Sequence, residues 1–333
     1  MKRCFWKGFM FTFAAIFVLG AVLSGIAEAK EYKFVVSQGW LENDSGQKHQ
    51  KGFQDAFKDF GDTDVTYANA NYDPKLQSEQ IEAFIKMKPD AMFISPSDTL
   101  AITPAVQRAV EAGIPVFSAD SLVAGAAVTT TIMSNNFGMG VESARFIAKK
   151  LGGKGKIGTV ELPENETWDL RTLGMEWALR EYPEIEIVAR WSYDSTGQVT
   201  ARQGVENMLT ANPNKGDLDA VWCAWDGAAM EGALAIQADG RTEIFTTGID
   251  GGQQAFEYIL ETPMALTMAQ DMYTMAYQNV VYAHMYLEGK KVPRLVISPV
   301  YMISAEDLEG KEIRDDYDAP GVATGELGWE RKL

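Results

Sequence analysis

The chain has 333 residues, 46% of them hydrophobic, 11% aromatic and 23% charged, a composition that belongs to a globular protein and a length beyond one ordinary core. Its formal net charge is −16, which repels phosphate backbones and argues against a nucleic-acid partner. With two cysteines in the whole chain, a disulfide framework is excluded as the source of stability.

Residues 1–29 read as a cleavable signal peptide. Lys2, Arg3 and Lys7 form a basic start, Gly8 to Ile26 carries no charge, and Ala27-Glu28-Ala29 supplies the small-x-small cleavage pattern before Lys30. An uncleaved anchor is the competing reading, because the apolar run is nearly long enough to span a bilayer. The small-residue site favours cleavage, and Cys4 precedes the apolar run, which speaks against a lipoprotein anchor. The predicted location is therefore the periplasm. Cys223 lies in an apolar segment with no basic neighbour and reads as a buried small hydrophobe, not a nucleophile.

Beyond residue 30, short β-rich runs alternate with amphipathic stretches. The strand candidates are Lys33–Ser37, Val65–Ala70, Ala91–Ser95, Pro115–Ala119, Thr129–Ser134, Ile157–Leu162, Ile185–Trp191, Ala220–Ala224, Ile244–Ile249, Leu266–Ala269 and Leu295–Ile303. Between the third and fourth, Ile102, Val106, Ala109 and Val110 share one helical face, with Ser97 or Asp98 positioned to cap its start. Such alternation predicts parallel sheets covered on both faces. About ten units exceed one comfortable sheet, so the expected fold is α/β, with two doubly wound, Rossmann-like lobes. Between Asp120 and Thr130 two strands follow one another without a helix, which marks a crossing between lobes. Further crossings are expected near Gln270 and near Lys291–Pro299. The expected division is 30–130 plus about 270–294 for the N-terminal lobe, 131–269 plus about 295–320 for the C-terminal lobe, and a tail over 321–333.

Ligands bind such sheets at the carboxyl ends of the strands. The residues there are Gln38 to Asn43 with Trp40, Ser95 to Asp98, Asp120-Ser121, Trp168 and Arg171, Trp225-Asp226, Asp250 and Gln270. Acids, amides and a guanidinium satisfy hydroxyls that both donate and accept, while indoles pack on apolar C–H faces. That mixture suits a small hydroxyl-rich ligand. Competing structural readings stand beside several of these: a turn for Asp250, a surface ion pair for Arg171, core packing for Trp40 and Trp225. Asp98 and Asp226 read mainly as helix caps, and Trp177, Trp191 and Trp222 as packing residues.

The order of Ser95-Pro96-Ser97-Asp98, Ile114-Pro115-Val116 ending in Asp120, Arg171-Thr172-Leu173-Gly174, Gly248-Ile249-Asp250-Gly251 and Ala269-Gln270 resembles the ribose/galactose-type periplasmic sugar-binding proteins of ABC transporters, which are type I periplasmic binding proteins. The resemblance covers essentially the whole mature chain. It implies two lobes joined by a three-strand hinge, a ligand in the cleft between them, and delivery to an ABC transporter permease in the inner membrane. It also implies that Asp120, Asp250 and Arg171 hold sugar hydroxyls, with Gln270 at the hinge and Trp40 and Asn43 in the first loop. Trp225 stands where the family often has Asn, and Gln198 is a further match. Ser95 replaces a frequent Asn, and Ser121 a frequent Arg.

The expected ligand-binding set is thus Trp40, Asn43, Ser95, Asp120, Trp168, Arg171, Gln198, Trp225, Asp250 and Gln270. The expected function is capture of a monosaccharide or polyol by a monomeric protein, with a nucleoside, a furanosyl signalling molecule or a chemotaxis role as alternatives. No enzyme is expected, since no nucleophile–base pair or Gly-rich dinucleotide loop follows the first strand. No cofactor is implied either. His49 and His284 are the two histidines and lie far apart, so neither metal ligation nor histidine catalysis is supported. Gly152 to Lys156 lacks the Gly-Lys-Ser/Thr ending of a phosphate loop.

Overall fold

The computed structural model describes residues 31–163, 166–193, 199–311 and 313. The signal peptide expected over 1–29, Gln198 and the tail expected from 321 lie outside the described residues.

In chain order the elements are β1 (Lys33–Gln38), α1 (Asp44–Phe60), β2 (Asp64–Asn69), α2 (Pro74–Met87), β3 (Ala91–Ser95), α3 (Thr103–Glu111), β4 (Val116–Asp120) and β5 (Thr130–Ser134). Then come α4 (Asn136–Lys150), β6 (Lys154–Glu161), α5 (Glu166–Leu179), β7 (Glu184–Ser192), α6 (Ala201–Ala211), β8 (Ala220–Cys223), α7 (Asp226–Asp239), β9 (Phe245–Asp250), α8 (Gln253–Glu261) and β10 (Met264–Gln270). The chain ends with α9 (Met272–Leu287), β11 (Leu295–Ser298), β12 (Val300–Ser304) and α10 (Ala305–Leu308). Two six-stranded sheets result, in the orders β11-β5-β4-β3-β1-β2 and β12-β10-β9-β8-β6-β7. Every described pairing is parallel except β10 with β12. Strands such as Ala91–Ser95 and Val116–Asp120 are buried along their whole length, as parallel strands covered on both faces must be. This is the two-lobed α/β fold expected from the alternation.

Sheet membership moves two of the expected boundaries. β5 lies wholly in the first sheet, so the chain leaves that sheet after Ser134 and not after residue 130. β11 also belongs to the first sheet, whereas residues from 295 were expected in the second lobe. The single strand expected over Leu295–Ile303 is two strands broken at Pro299, each in a different sheet; proline has no N–H to continue a ladder. Helix α3 starts at Thr103, not beside Ser97 or Asp98. Asp98 Oδ1 instead accepts from the Leu100 and Ala101 amides in the preceding turn.

Each lobe has its own core. In the first, Phe34, Phe53, Phe57 and Phe93 stack and edge against one another at centroid distances of 5.2–5.7 Å for Phe34–Phe57, Phe34–Phe93, Phe53–Phe93 and Phe57–Phe93. In the second, α4 and α5 cross so closely that a Cβ on Gly140 would stand 1.9 Å from the Arg171 carbonyl oxygen, and one on Gly174 would stand 2.1 Å from that of Phe137. Only glycine permits that crossing, and it fixes the helix that carries Arg171. Trp222 is fully buried and donates its Nε1–H to Ser143 Oγ at 2.8 Å. Trp191 is half-buried against the second-lobe core. Trp177, expected to pack, is 44% exposed and lies beside Phe137 and Arg145.

Where the chain crosses between sheets, a side chain starts the next helix. Asn135 Oδ1 accepts the Gly138 N–H at 2.9 Å to open α4, and Asp271 Oδ1 accepts the Thr274 N–H at 3.1 Å to open α9. Such caps supply partners for orphan helix amides. Among the described residues, no helix is long and apolar enough to cross a membrane.

Candidate functional site

The carboxyl ends of β1, β2, β3 and β4 in one sheet, and of β6, β9 and β10 in the other, meet around a cleft of about 440 Å³, counting its solvent-open part. Its wall contains Trp40, Asn43, Ser45, Tyr72, Pro96, Asp120, Ser121, Thr167, Trp168, Arg171, Asp250, Gln270 and Met272. Seven of the ten expected residues are therefore brought together: Trp40, Asn43, Asp120, Trp168, Arg171, Asp250 and Gln270.

The two acids sit on unusual backbone. Asp120 closes β4 at φ 72° and Asp250 closes β9 at φ 140°. L-residues rarely adopt positive φ, and such positions cost of order 1–3 kcal/mol unless the surroundings over-determine them. At both strand ends the distortion lies in the cleft wall.

Arg171 is the central cation, 2% exposed. Its Nε–H donates to Asn136 Oδ1 at 3.0 Å and its Nη1–H to the Ala224 carbonyl at 2.7 Å, while Nη1 lies 3.2 Å from Asp250 Oδ1. The guanidinium carbon stands 5.8 Å from the Trp168 ring centroid. Gln270 Nε2 donates to Asp250 Oδ1 at 2.8 Å, which leaves its Oε1 buried without a hydrogen-bond partner. Trp168 Nε1 is likewise buried and unpartnered. A buried donor and a buried acceptor therefore line one cavity, and leaving each unmade costs about 1–3 kcal/mol.

The first lobe supplies the opposite wall. Asn43 Oδ1 caps α1 by accepting the Gly46 N–H at 2.8 Å, and its Nδ2 donates to the Tyr72 hydroxyl at 3.2 Å. Ser121 Oγ donates to Asp120 Oδ2 at 2.9 Å and lies 2.8 Å from Thr167 Oγ1, a polar contact between the lobes. Behind the wall, Gln77 Nε2 donates to the Ser95 carbonyl at 2.9 Å. Its Oε1 accepts from Ser97 N–H at 2.8 Å and Ser97 Oγ–H at 2.7 Å, so one buried amide fixes the loop after β3.

The cleft is rich in carboxylates with one guanidinium among them. Burial pushes Asp120 up to about 6, the Asp250 charge adding to the rise while Arg171 and the Ser121 hydroxyl oppose it. Asp250 is raised by burial against the pull of Arg171 and Gln270. Asp226 is raised by burial and by the Asp250 charge. Burial and the nearby Glu42 and Asp250 push the Tyr72 phenol up to about 12.

Two expectations, Ser95 and Trp225, fall outside this wall, and a third falls outside the described residues. Ser95 is fully buried with its Oγ 3.1 Å from His49 Nδ1, so it packs behind the cleft. Trp225 precedes α7, half-buried against both second-lobe clusters and edge-on to Tyr193 at 5.6 Å. Gln198 lies outside the described residues. Asp226, expected as a cap, opens α7 but turns its carboxylate to the neighbouring strand ends. Oδ2 accepts the Gly251 N–H at 2.7 Å and Oδ1 accepts the Thr267 hydroxyl at 2.7 Å. It thereby braces the backbone beside Asp250. Ser45, Tyr72, Pro96, Thr167 and Met272 join the wall without having been singled out. Tyr72 and Pro96 obey the same strand-end rule that found Asp120, whereas Ser45, Thr167 and Met272 lie in first turns of helices, where capping residues dominate the pattern.

The profile of the periplasmic binding protein domain family matches residues 34–291. The chain is 29% identical over 280 residues to the ribose import binding protein of Bacillus subtilis (strain 168), covering 83% of this chain and 88% of that protein. An ABC sugar transporter subunit from Rhodobacter sphaeroides 2.4.1 is similar in structure, with a TM-score of 0.76 and 27% identity over 83% of this chain and 98% of that one. A periplasmic solute-binding protein of an ABC transporter from Actinobacillus succinogenes 130z, solved with bound D-allose, has a TM-score of 0.76 and 26% identity, covering 84% and 100%.

Proposed function

Because the chain belongs to the periplasmic binding protein domain family, we propose that it captures a monosaccharide or polyol between its lobes by hinge closure and delivers it to an ABC importer. The observation that carries this reading is the cleft wall itself: Asp120, Arg171, Asp250 and Gln270 converge there with Trp40, Tyr72 and Trp168. A sugar offers hydroxyls that donate to the carboxylates and to Gln270 Oε1, and that accept from Arg171 and from Trp168 Nε1. The names of relatives, ribose import and bound D-allose, support the same ligand class. In this reading the protein acts in the periplasm as a monomer after losing residues 1–29. It presents its closed form to the inner-membrane permease and binds no nucleic acid.

Ligand contacts made only when the lobes meet are the source of closure, since a ligand shifts the equilibrium by its differential affinity for the two states. The test is a thermal-shift screen of residues 30–333, stripped by unfolding and refolding, against D-ribose, D-allose, xylitol, other aldoses and ketoses, and nucleosides. A ligand at 100 times its Kd adds roughly 2.7 kcal/mol. A shift with one sugar or polyol, lost in Asp250→Ala, supports the reading. A shift with nucleosides alone replaces the ligand class, and a flat screen rejects the sugar reading.

A further inference from the structure

Helix α8 begins three residues beyond Asp250, with Gly252 at its N-cap position and no side-chain cap of its own. Its Gln254 N–H instead donates to Asp44 Oδ2 at 2.9 Å, across 210 residues of sequence and from the opposite lobe. Asp44 is the first residue of α1, between Asn43 and Ser45 of the cleft wall, but is not itself part of that wall. One turn further along α1, the Lys48 ammonium stands 5.8 Å from the Phe256 ring centroid on α8. The lobes also meet at Gly252, where a Cβ would stand 3.1 Å from Asp44 Cβ. Gly252 has an ordinary φ of −71°, so the glycine is there for space and not for conformation.

The same turn is tied to the ligand wall from inside its own lobe, because Asp226 Oδ2 accepts the Gly251 and Gly252 amides at 2.7 and 3.4 Å. Asp226 thus holds one side of the turn permanently, while Asp44 reaches it only with the lobes together. We propose that Asp44 is an affinity-determining residue that does not touch the ligand: it caps α8 from the opposite lobe and so stabilises the closed state. The proposal rests on the reading of the chain as a hinge-closing binding protein. The first amides of a helix lack internal partners, and a carboxylate there satisfies both the hydrogen bond and the helix dipole. In an open molecule water takes that place, so the cap weights only the closed form and enters the binding constant as a bias on closure.

Titration calorimetry of wild type, Asp44→Ala and Asp44→Asn against D-ribose, D-allose and xylitol tests this. Asp44→Ala is expected to weaken Kd roughly fivefold, the scale of a lost cap, while leaving the ligand-free melting temperature unchanged. Asn keeps an acceptor oxygen and is expected to recover most of the affinity. An unchanged Kd in Asp44→Ala overturns the proposal, as does an Asn variant no better than Ala. If wild type binds none of the three probes, the titrations use whichever ligand shifts the melting temperature in the screen above, and a wild type that binds none of the screened ligands overturns the binding-protein reading and this proposal with it. With that ligand bound, protection of the Gln254 amide in wild type that disappears in Asp44→Ala sustains the cap, and equal exchange in the two overturns it.

Discussion

In ligand-free protein, Asp120→Asn is expected to become more stable than wild type as pH rises through about 6. Burial lifts the Asp120 carboxyl from its ordinary 3.8 to about 6, with the Asp250 charge adding to the rise and Arg171 and Ser121 opposing it. A carboxyl whose folded pKa is raised binds more protons in the folded state between those two values. Stability is therefore highest below 3.8, falls through that window, and stays reduced above it. A rise of about two units corresponds to a ceiling of about 3 kcal/mol, which solvent entering the cleft reduces, so about 1–3 kcal/mol is expected. Asparagine keeps the shape, tolerates the positive φ of this position and cannot ionise.

The gap between variant and wild type should thus be small near pH 3.5, reach about half its final size by pH 5, and stand at about 1–3 kcal/mol in favour of the variant at pH 8, a few degrees in melting temperature. Melting curves of both proteins at pH 3.5 to 8, followed by tryptophan fluorescence after removal of ligand by unfolding and refolding, measure it. A gap that does not change with pH, or that grows toward pH 5, refutes the reasoning. The variant should also bind its sugar more weakly, a stability–function opposition usual at binding sites.

Arg171→Met removes the one guanidinium of the cleft wall and should cost at least a hundredfold in affinity by calorimetry. Its loss of stability, about 3–5 kcal/mol for a broken buried pair, should shrink as pH falls through about 6 and Asp120 takes up its proton. Gly140→Ala forces a methyl onto the Arg171 carbonyl; overpacking of this kind costs about 1–3 kcal/mol, visible as a lower melting temperature with unchanged far-ultraviolet dichroism. Gln77→Ala strips partners from Ser95 and Ser97 and should cost about 1–3 kcal/mol in urea unfolding, with no direct contact to the ligand.

Strand–helix alternation was legible because a strand buried on both faces can hardly be anything but apolar: Ala91–Ser95 and Val116–Asp120 announce themselves. The exact crossing points were not, since Thr130–Ser134 looks the same whichever sheet it joins, and pairing with Phe117–Asp120 and Leu295–Ser298 decides it. Of the site, the acids at strand ends were readable as a class, while their geometry was not. Nothing in Gly248-Ile249-Asp250-Gly251 tells that Asp250 stands at φ 140°. Asp226 reads as a cap because its position at the start of α7 matches a capping pattern, whereas its true partners, Gly251 and Thr267, are 25 and 41 residues away. Ser95 enters the expected set through the Asn it replaces, but it is fully buried and its hydroxyl lies against His49. Long-range hydrogen bonds and helix crossings set by Gly140 and Gly174 leave no local periodicity to detect.

These features form one energetic pattern. With the lobes together, Asp120 of the first faces the Arg171–Asp250 pair of the second, both acids stand on costly backbone, and Gln270 Oε1 and Trp168 Nε1 are buried without partners. The buried charges and the unpartnered polar groups are penalties that grow as water leaves the cleft. Contacts such as Asp44 to Gln254 and Ser121 to Thr167 offset a part of them, at about 1 kcal/mol each. The remainder must come from a molecule that donates to carboxylates and amide oxygen and accepts from guanidinium and indole in one small volume. An anionic ligand adds charge to an already acidic wall, and an apolar one leaves every penalty standing. A neutral, hydroxyl-rich ligand removes them together, so the closed state is reached in proportion to how many of its hydroxyls find these groups.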